Sequence, residues 1–345
     1  LKQLCLSLGF DCAVSRDTVT CKCEFTNALI FASKSQLLKL IEKLKNQPFR
    51  LKQIAFELEK QFKTELEVLK IRNKIFDWTQ PYIMGILNVT PDSFSDGGKY
   101  NQIDSALKHA MDLIQDGAHI IDIGGESTRP GAKNITPNEE ISRVIPVISA
   151  IRKIDIEIPI SIDTRNYETA NAAIEAGADI INDVSGLDYD NKLFDFVVKN
   201  NIPVIIMHSD KVPAVSKDFT SSDIVEDVYF SLEKKILNLI EAGTERKNII
   251  ADTGIGFGKS CESNFELLRR MSEFTSLKVP ILSGISRKSF IRNKFNIDFN
   301  DSDEVSALYC ALQSSVNIHR VHNVKLTSKF LKYTRMFNNP QSYLQ

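Results

Sequence analysis

An excess of charge of either sign is missing from this sequence. Its 345 residues carry 43 Lys+Arg against 44 Asp+Glu, a formal net charge of -1. A nucleic-acid-binding surface usually shows as a clear basic excess, and none is present in the total. Long hydrophobic runs are missing too: no stretch approaches the roughly 20 apolar residues needed to span a bilayer. The opening Leu1–Phe10 is too short and too soon interrupted for a secretory h-region. Six cysteines in 345 residues are too few for a disulfide scaffold. No Ser-His-Asp arrangement and no zinc-type Cys/His spacing occurs from residue 81 onward. What remains is a cytoplasmic globular enzyme or binding domain.

The balance of charge hides an asymmetry. Residues 1–80 hold 14 Lys+Arg and 9 Asp+Glu, whereas residues 81–345 hold 29 and 35. Four cysteines (Cys5, Cys12, Cys21 and Cys23) also fall in the first 23 residues. The chain therefore reads as two parts: an N-terminal accessory segment over 1–80 and a catalytic domain over 81–345.

The second part has a steady rhythm of short apolar runs separated by amphipathic stretches. The runs are Tyr82–Val89, Ala118–Ile123, Pro159–Ile162, Asp179–Val184, Pro203–Met207, Asn248–Ala251, Pro280–Ile285 and Asn317–Val321. Each is rich in Ile and Val and nearly continuous in apolar character, as strands buried on both faces of a parallel sheet are. Gly117, Gly177 and Gly243 stand where the intervening helices should end. Eight β–α units over about 260 residues match a (β/α)8 TIM barrel. The rival, a doubly wound open sheet, would want a G-x-G-x-x-G turn after the first strand, and none is there. The expected fold class is thus α/β, a (β/α)8 TIM barrel with a small α+β N-terminal segment. In that segment Ser35–Leu44 and Leu51–Phe62 read as helices, and Val19–Ile30 contains a β-like stretch.

Barrels of this kind place their active sites at the C-terminal ends of the strands. Polar, often glycine-bearing residues follow every apolar run here. Asp163, Asn182 and Asp252 at strand ends suit a flat heterocycle with N–H donors and acceptors. Lys288, Arg320 and His322 suit a phosphate or pyrophosphate, with Ser286 as a further donor. Asn88 beside Asp92 and Asp96 offers hard oxygens for Mg²⁺, which usually shares them with substrate phosphates. Any one strand-end Asp could equally cap the next helix, Asn182-Asp183 could be a plain turn, Met207 core filler, and Arg287-Lys288 a solvated pair. The polar set favours positioning and charge stabilisation of a leaving group over covalent catalysis.

Six motifs, in order, carry a resemblance. They are Met84–Gly98 (MGILNVTPDSFSDGG), Asp122–Gly131 (DIGGESTRPG), Ser161–Thr164 (SIDT), Gly254–Lys259 (GIGFGK), Ser286–Ser289 (SRKS) and Arg320–His322 (RVH). Together they resemble the dihydropteroate synthases of the pterin-binding enzyme family. The resemblance implies condensation of 6-hydroxymethyl-7,8-dihydropterin pyrophosphate with 4-aminobenzoate, to give 7,8-dihydropteroate and pyrophosphate in folate biosynthesis. It implies that Asp163, Asn182, Asp252 and Lys288 hold the pterin, with Met207 packing on it. Asn88 would ligate Mg²⁺, and Arg320 and His322 would grip the pyrophosphate. Thr128, Arg129, Phe257 and Ser286 would form the aminobenzoate site. Phe94, Asp96 and Pro130 would sit on two mobile loops, and Asp96, Arg129 and Lys288 are the expected catalytic groups. A homodimer is implied, with small molecules and neither nucleic acid nor membrane as partners. Rival readings are a methyltetrahydrofolate-binding methyltransferase domain and a catalytically silent pterin-binding partner.

Three departures from the family pattern stand out: Thr253 for the usual Pro, His208-Ser209-Asp210-Lys211 after the fifth strand, and Asn323 for the usual Asp. If that Asp orients the histidine before it, Asn323 would lower the basicity of His322. In the first part, Phe25–Ile30 followed by Gln36–Lys45 resembles a strand–helix piece of hydroxymethyldihydropterin pyrophosphokinase. This implies a remnant of a fused module; no Arg-x-x-Asp-x-Asp-type motif accompanies it, so no kinase activity is expected. The cysteines there lack zinc-finger spacing and read as free thiols.

Overall fold

The computed structural model describes residues 1–345 apart from 20–25, 49, 63–65, 91–98, 127–134, 210–222 and 339–345 (side chains of 19, 60–62 and 99–102 are also outside the described set). Two compact units divide the chain, Leu1–Glu65 and Leu66–Gln345. The boundary expected between residues 80 and 81 therefore falls earlier, for a reason that lies in the second unit.

In the first unit, β1 (Asp11–Val14) pairs antiparallel with β2 (Ala28–Phe31). Helices Lys34–Lys45 and Leu51–Phe62 are close to the expected ones. Ser33 starts the former through a capping box with Gln36, which satisfies backbone N–H groups that the first turn leaves unpaired. Leu40, Ile41 and Leu44 on its inner stripe bury a small core with Cys5, Phe10, Cys12 and Ala55. Cys5 and Cys12 are free thiols, as are Cys261 and Cys310; Cys21 and Cys23 lie outside the described residues.

The second unit opens with a hairpin, β3 (Leu69–Ile71) against β4 (Lys74–Phe76). Eight strands follow: β5 (Tyr82–Asn88), β6 (Ile120–Gly124), β7 (Ile160–Asp163), β8 (Ile180–Asp183), β9 (Val204–Met207), β10 (Ile249–Asp252), β11 (Ile281–Ser283) and β12 (Ile318–Val321). They run parallel and close into the barrel, β12 pairing with β5 through Ile318 opposite Tyr82. Helices over Lys99–Gln115, Pro137–Ile154, Tyr167–Ala176, Asn191–Asn200, Ile224–Ala242, Cys261–Arg269, Phe299–Leu312 and Val324–Asn338 alternate with the strands. Gly177 and Gly243 end their helices at φ 112° and 116°, a left-handed conformation that glycine adopts without Cβ strain.

Successive strand residues face opposite ways, and the two faces do different work. Ile121, Ile123, Ile160, Ile162, Ile181, Val204, Ile206, Ile249, Ala251 and Ile281 point outward and form one core with the helices. Tyr82, Met84, Ile120, Ile180, Ile205, Ile250, Leu282 and Ile318 form a second cluster together with Leu69, Ile71 and Phe76 of the hairpin. The hairpin is thus a plug packed onto the interior of the barrel. Phe76 lies 4.8 Å from the Tyr82 ring, and the Arg72 turn donates to Asp179 Oδ1 at 2.7 Å, just ahead of β8. Residues 66–80 therefore belong to the barrel. Their short polar-interrupted runs gave no eight-fold rhythm to reveal it. Among the described residues no helix is long and apolar enough to cross a membrane.

Candidate active site

Two residues beyond the apolar interior layer, on the same inward face, the side chains become polar. Ile120 is followed by Asp122, Ile180 by Asn182, Ile250 by Asp252 and Ile318 by Arg320, with Met207 after Ile205 the apolar exception. Asp163 joins them, paired in register with Gly124 and Asn182. Asp122 is fully buried, and Asn182, Met207 and Asp252 are buried as well. Period-two geometry thus brings residues far apart in the chain into one ring at the upper end of the barrel.

Arg320 is the hub. Its Nε donates to Asp122 Oδ2 and its Nη2 to Asp163 Oδ2, each at 2.6 Å. Asn182 Nδ2 donates to Asp122 at 3.2 Å, leaving its amide oxygen for something else. Burial drives the Asp163 carboxyl up to about 7, against the pull of Arg320 and with the push of Asp122. Burial also raises Asp252, while the Gly254 N–H, donating to its Oδ1 at 2.8 Å, opposes the shift. Burial lowers Arg320, but Asp122 and Asp163 outweigh it and the guanidinium is held above its usual range. Lys288 is brought down to about 8, first by burial and then by Arg320, with Asp252 and Asp163 opposing. Perturbed groups concentrated in one cleft mark functional chemistry.

The loops above the ring are held by their own chemistry. Gly254 has φ 67°, and a Cβ there would lie 1.9 Å from the His208 carbonyl oxygen, so no side chain fits. Lys259 Nζ donates to the carbonyls of Gly254 at 2.8 Å and of His208 and Phe257 at 3.3 Å. This fixes Phe257, whose ring lies 3.9 Å below Lys288 Nζ. Ser286 Oγ and His322 Nδ1 are 3.0 Å apart, and the His322 backbone N–H donates to the same Oγ. Burial, with Lys259 and Lys235 nearby, brings His208 down to about 3.

The structure therefore brings together Asn88, Asp163, Asn182, Met207, Asp252 and Arg320 at the strand ends, with Phe257, Ser286, Lys288 and His322 on the loops above them. Asp96, Thr128 and Arg129, with Asp92, Phe94 and Pro130, lie outside the described residues. Asn323 makes two side-chain contacts: its Nδ2 donates to Asp303 at 3.4 Å and its Oδ1 accepts from the Leu326 N–H. A carboxylate at 323 would face Asp303 and repel it, whereas the amide donates. Thr253 is fully buried beside Asp252. Asp122 and Lys259 were missed as functional positions. Asp122 was legible in principle, as a charged residue in the inward phase of an otherwise apolar strand.

Asn88 Oδ1 and Asp163 Oδ2 flank Gly124, lying 3.6 and 3.8 Å from where its Cβ would be. Among the described residues no cluster of three or more His, Cys, Asp or Glu could hold a metal ion. Asp163 Oδ2 is already taken by Arg320, so the Asn88 amide oxygen is the protein group left for Mg²⁺, with substrate oxygens to complete the shell.

A ring of buried, charged positioning groups above a plugged (β/α)8 barrel defines a class of small-molecule enzyme. The model of a family described as pterin binding enzyme matches residues 84–322. The dihydropteroate synthase of Bacillus subtilis (strain 168) is 43% identical over 252 residues, covering 72% of this chain and 86% of that protein. The solved structure of Xanthomonas albilineans dihydropteroate synthase with 4-aminobenzoic acid superposes with a TM-score of 0.73 at 35% identity, covering 79% of this chain and 99% of that one. A probable bifunctional folylpolyglutamate synthase/dihydropteroate synthase of Haloferax volcanii is 38% identical over 339 residues, 94% of this chain and 40% of that protein. Its alignment therefore takes in most of the Leu1–Glu65 unit as well. The chain belongs to the pterin-binding enzyme family, in its dihydropteroate synthase branch.

Proposed function

We infer that the chain is a transferase of folate biosynthesis. It condenses 6-hydroxymethyl-7,8-dihydropterin pyrophosphate with 4-aminobenzoate, giving 7,8-dihydropteroate and pyrophosphate. The observation that carries this reading is the inward polar layer, in which Asp163, Asn182, Asp252, Lys288 and Arg320 converge.

Asp163, Asn182 and Asp252 present oxygens to the N–H edge of the pterin, with Met207 beneath the ring and Lys288 beside it. Lys288 is poised between ammonium and amine, so its charge responds to what binds next to it. Arg320 and His322 take the pyrophosphate, and Phe257 and Ser286, with Thr128 and Arg129, take the aminobenzoate. Asp96 and Arg129 act from the loops. The bond between the exocyclic methylene and the pyrophosphate oxygen breaks as the cationic groups stabilise the departing charge. The electron-rich ring bears the resulting positive charge at the methylene carbon. The aniline nitrogen then forms the new C–N bond and gives up a proton. Mg²⁺, held by Asn88 and shared with the pyrophosphate, would supply further charge neutralisation.

The Leu1–Glu65 unit is accessory to this chemistry. A second copy pairs through the region of the Phe299–Leu312 helix, where Leu308 and Leu312, one turn apart, are exposed, because apolar side chains are costly to leave in water. Sedimentation of the wild type against Leu312→Glu tests the pairing; a monomeric wild type overturns it. The activity is tested by incubating purified protein with the pterin pyrophosphate, 4-aminobenzoate and Mg²⁺. Dihydropteroate is the expected product, and its absence with pterin binding intact overturns the reading.

A further inference from the structure

Arg287 stands between two site residues, Ser286 and Lys288, in a backbone conformation that an arginine rarely adopts. Its φ is 58°. Non-glycine residues in this region are held there by their surroundings at some energetic expense. What holds Arg287 is a carboxylate outside the strand ends. Its Nε donates to Asp303 Oδ1 at 3.0 Å and its Nη2 to Asp303 Oδ2 at 2.8 Å, the two-pronged geometry that fixes a guanidinium in orientation as well as distance. Asp303 itself is buried, with 3% of its side chain exposed, in the first half of the Phe299–Leu312 helix. The same carboxylate receives Asn323 Nδ2 at 3.4 Å, and Asn323 directly follows His322. One buried group therefore ties down both loops that carry the cationic end of the site. The turn that carries Ser286, Arg287 and Lys288 is tight: the Lys288 N–H donates to the Ile285 carbonyl at 3.2 Å.

Resting on the pterin-binding reading above, we propose that Asp303 and Arg287 are positioning residues that hold the Ser286–Lys288 turn and, through Asn323, the His322 segment in their working register. Neither needs to touch substrate. With the pair broken, Arg287 has no reason to keep its left-handed backbone, and relaxing it swings the Lys288 and Ser286 side chains. Displacements of this kind cost about a hundredfold in rate when the displaced groups meet the reacting atoms.

The test compares Arg287→Gly, Asp303→Asn, the double variant and, as a control, Arg270→Ala in the full chain. Glycine accepts φ 58° freely, so Arg287→Gly removes the tether without imposing strain and should keep the fold. Arg270 Nη1 donates to both carboxylate oxygens of Asp223 at 2.9 Å, an ion pair that includes no residue of the Ser286–Lys288 turn or the His322 segment. Wild-type turnover is measured first; absence of dihydropteroate there refutes the functional reading and not the pair. With the wild type active, Arg287→Gly is expected to lose about a hundredfold in kcat/KM for the pterin pyrophosphate while its melting temperature changes no more than that of Arg270→Ala. The double variant should lose no more than the worse single one, since residues acting as a unit are non-additive. Arg270→Ala should turn over at the wild-type rate. Arg287→Gly and Asp303→Asn both within twofold of wild type would overturn the proposal, as would losses that merely follow the folded fraction.

Discussion

The barrel interior carries two layers of side chains, two residues apart on the same strands and facing the same way. The lower one, Met84, Ile120, Ile180, Ile205, Ile250, Leu282 and Ile318, is apolar and sealed. The upper one, Asp122, Asp163, Asn182, Asp252 and Arg320, is charged and nearly as deeply buried. Backbone geometry is shared, so the difference isolates side-chain chemistry. The lower layer stabilises because it removes hydrocarbon from water, whereas the upper layer holds carboxylates whose charged forms burial disfavours. A protein tolerates that expense where something must be bound.

The comparison breaks first at Lys288 and Asp252. Lys288→Ala or Asp252→Ala is expected to lower turnover by about a thousandfold or more while circular dichroism and melting stay near wild type. Near-normal rates in both would remove the upper layer from the chemistry. Ile250→Ala, one position lower in the same inward phase, should do the opposite. It should cost about 2–5 kcal/mol in urea denaturation and leave turnover per folded molecule unchanged.

A smaller effect sharpens the electrostatics. Burial and Arg320 bring Lys288 down to about 8. Below that pH it is an ammonium that can neutralise a leaving anion; above it the charge is lost. The kcat/KM for the pterin pyrophosphate should therefore fall as pH rises through about 8, and Lys288→Arg, which stays charged, should flatten that limb. The stability consequence has the opposite sign. The folded state releases this proton earlier than the unfolded chain, so stability gains from about pH 8 up to the ordinary lysine range.

The smallest expected effect lies on the outward face. His319 of β12 is fully buried, and neither ring nitrogen has a hydrogen-bond partner among the described residues. Burial brings its imidazole down to about 3. His319→Leu should be neutral or stabilising by about 1 kcal/mol at pH 7. At lower pH the advantage should widen, because the unfolded chain binds a proton near 6.5 that the native histidine refuses until about 3. Urea titrations at pH 7 and pH 5 read both; a loss of stability in the variant would mean that the ring makes an unseen favourable contact.

Eight apolar runs and their spacing were enough to read the barrel, because strands buried on both faces leave a continuous signature. The strand-end residues followed from the same logic, since whatever ends an inward-facing strand meets the site. The plug was not legible. Leu69, Ile71 and Phe76 alternate with polar neighbours, and nothing local says that their apolar face meets the bottom of a barrel. Asp303 was equally hidden, as one acidic residue among several near the start of a helix. Its importance arises from Arg287, 16 residues earlier in the chain, and from Asn323, 20 residues later. Read against His322, Asn323 was expected to lower the basicity of the imidazole; its contact with a buried carboxylate could not be read from the sequence.

The plug of β3 and β4 also sets a kinetic order. With the lower mouth stoppered by Leu69, Ile71 and Phe76, the interior is a well that opens toward the strand ends. A ligand seated on the strand-end ring occupies the floor of that well, and one held by the loop residues Phe257 and Ser286 occupies its neck. On the proposed assignment, the pterin must enter before the aminobenzoate, and 4-aminobenzoate arriving first would stand in the doorway. Initial-rate patterns should then show compulsory sequence, with excess 4-aminobenzoate slowing the entry of the pterin pyrophosphate.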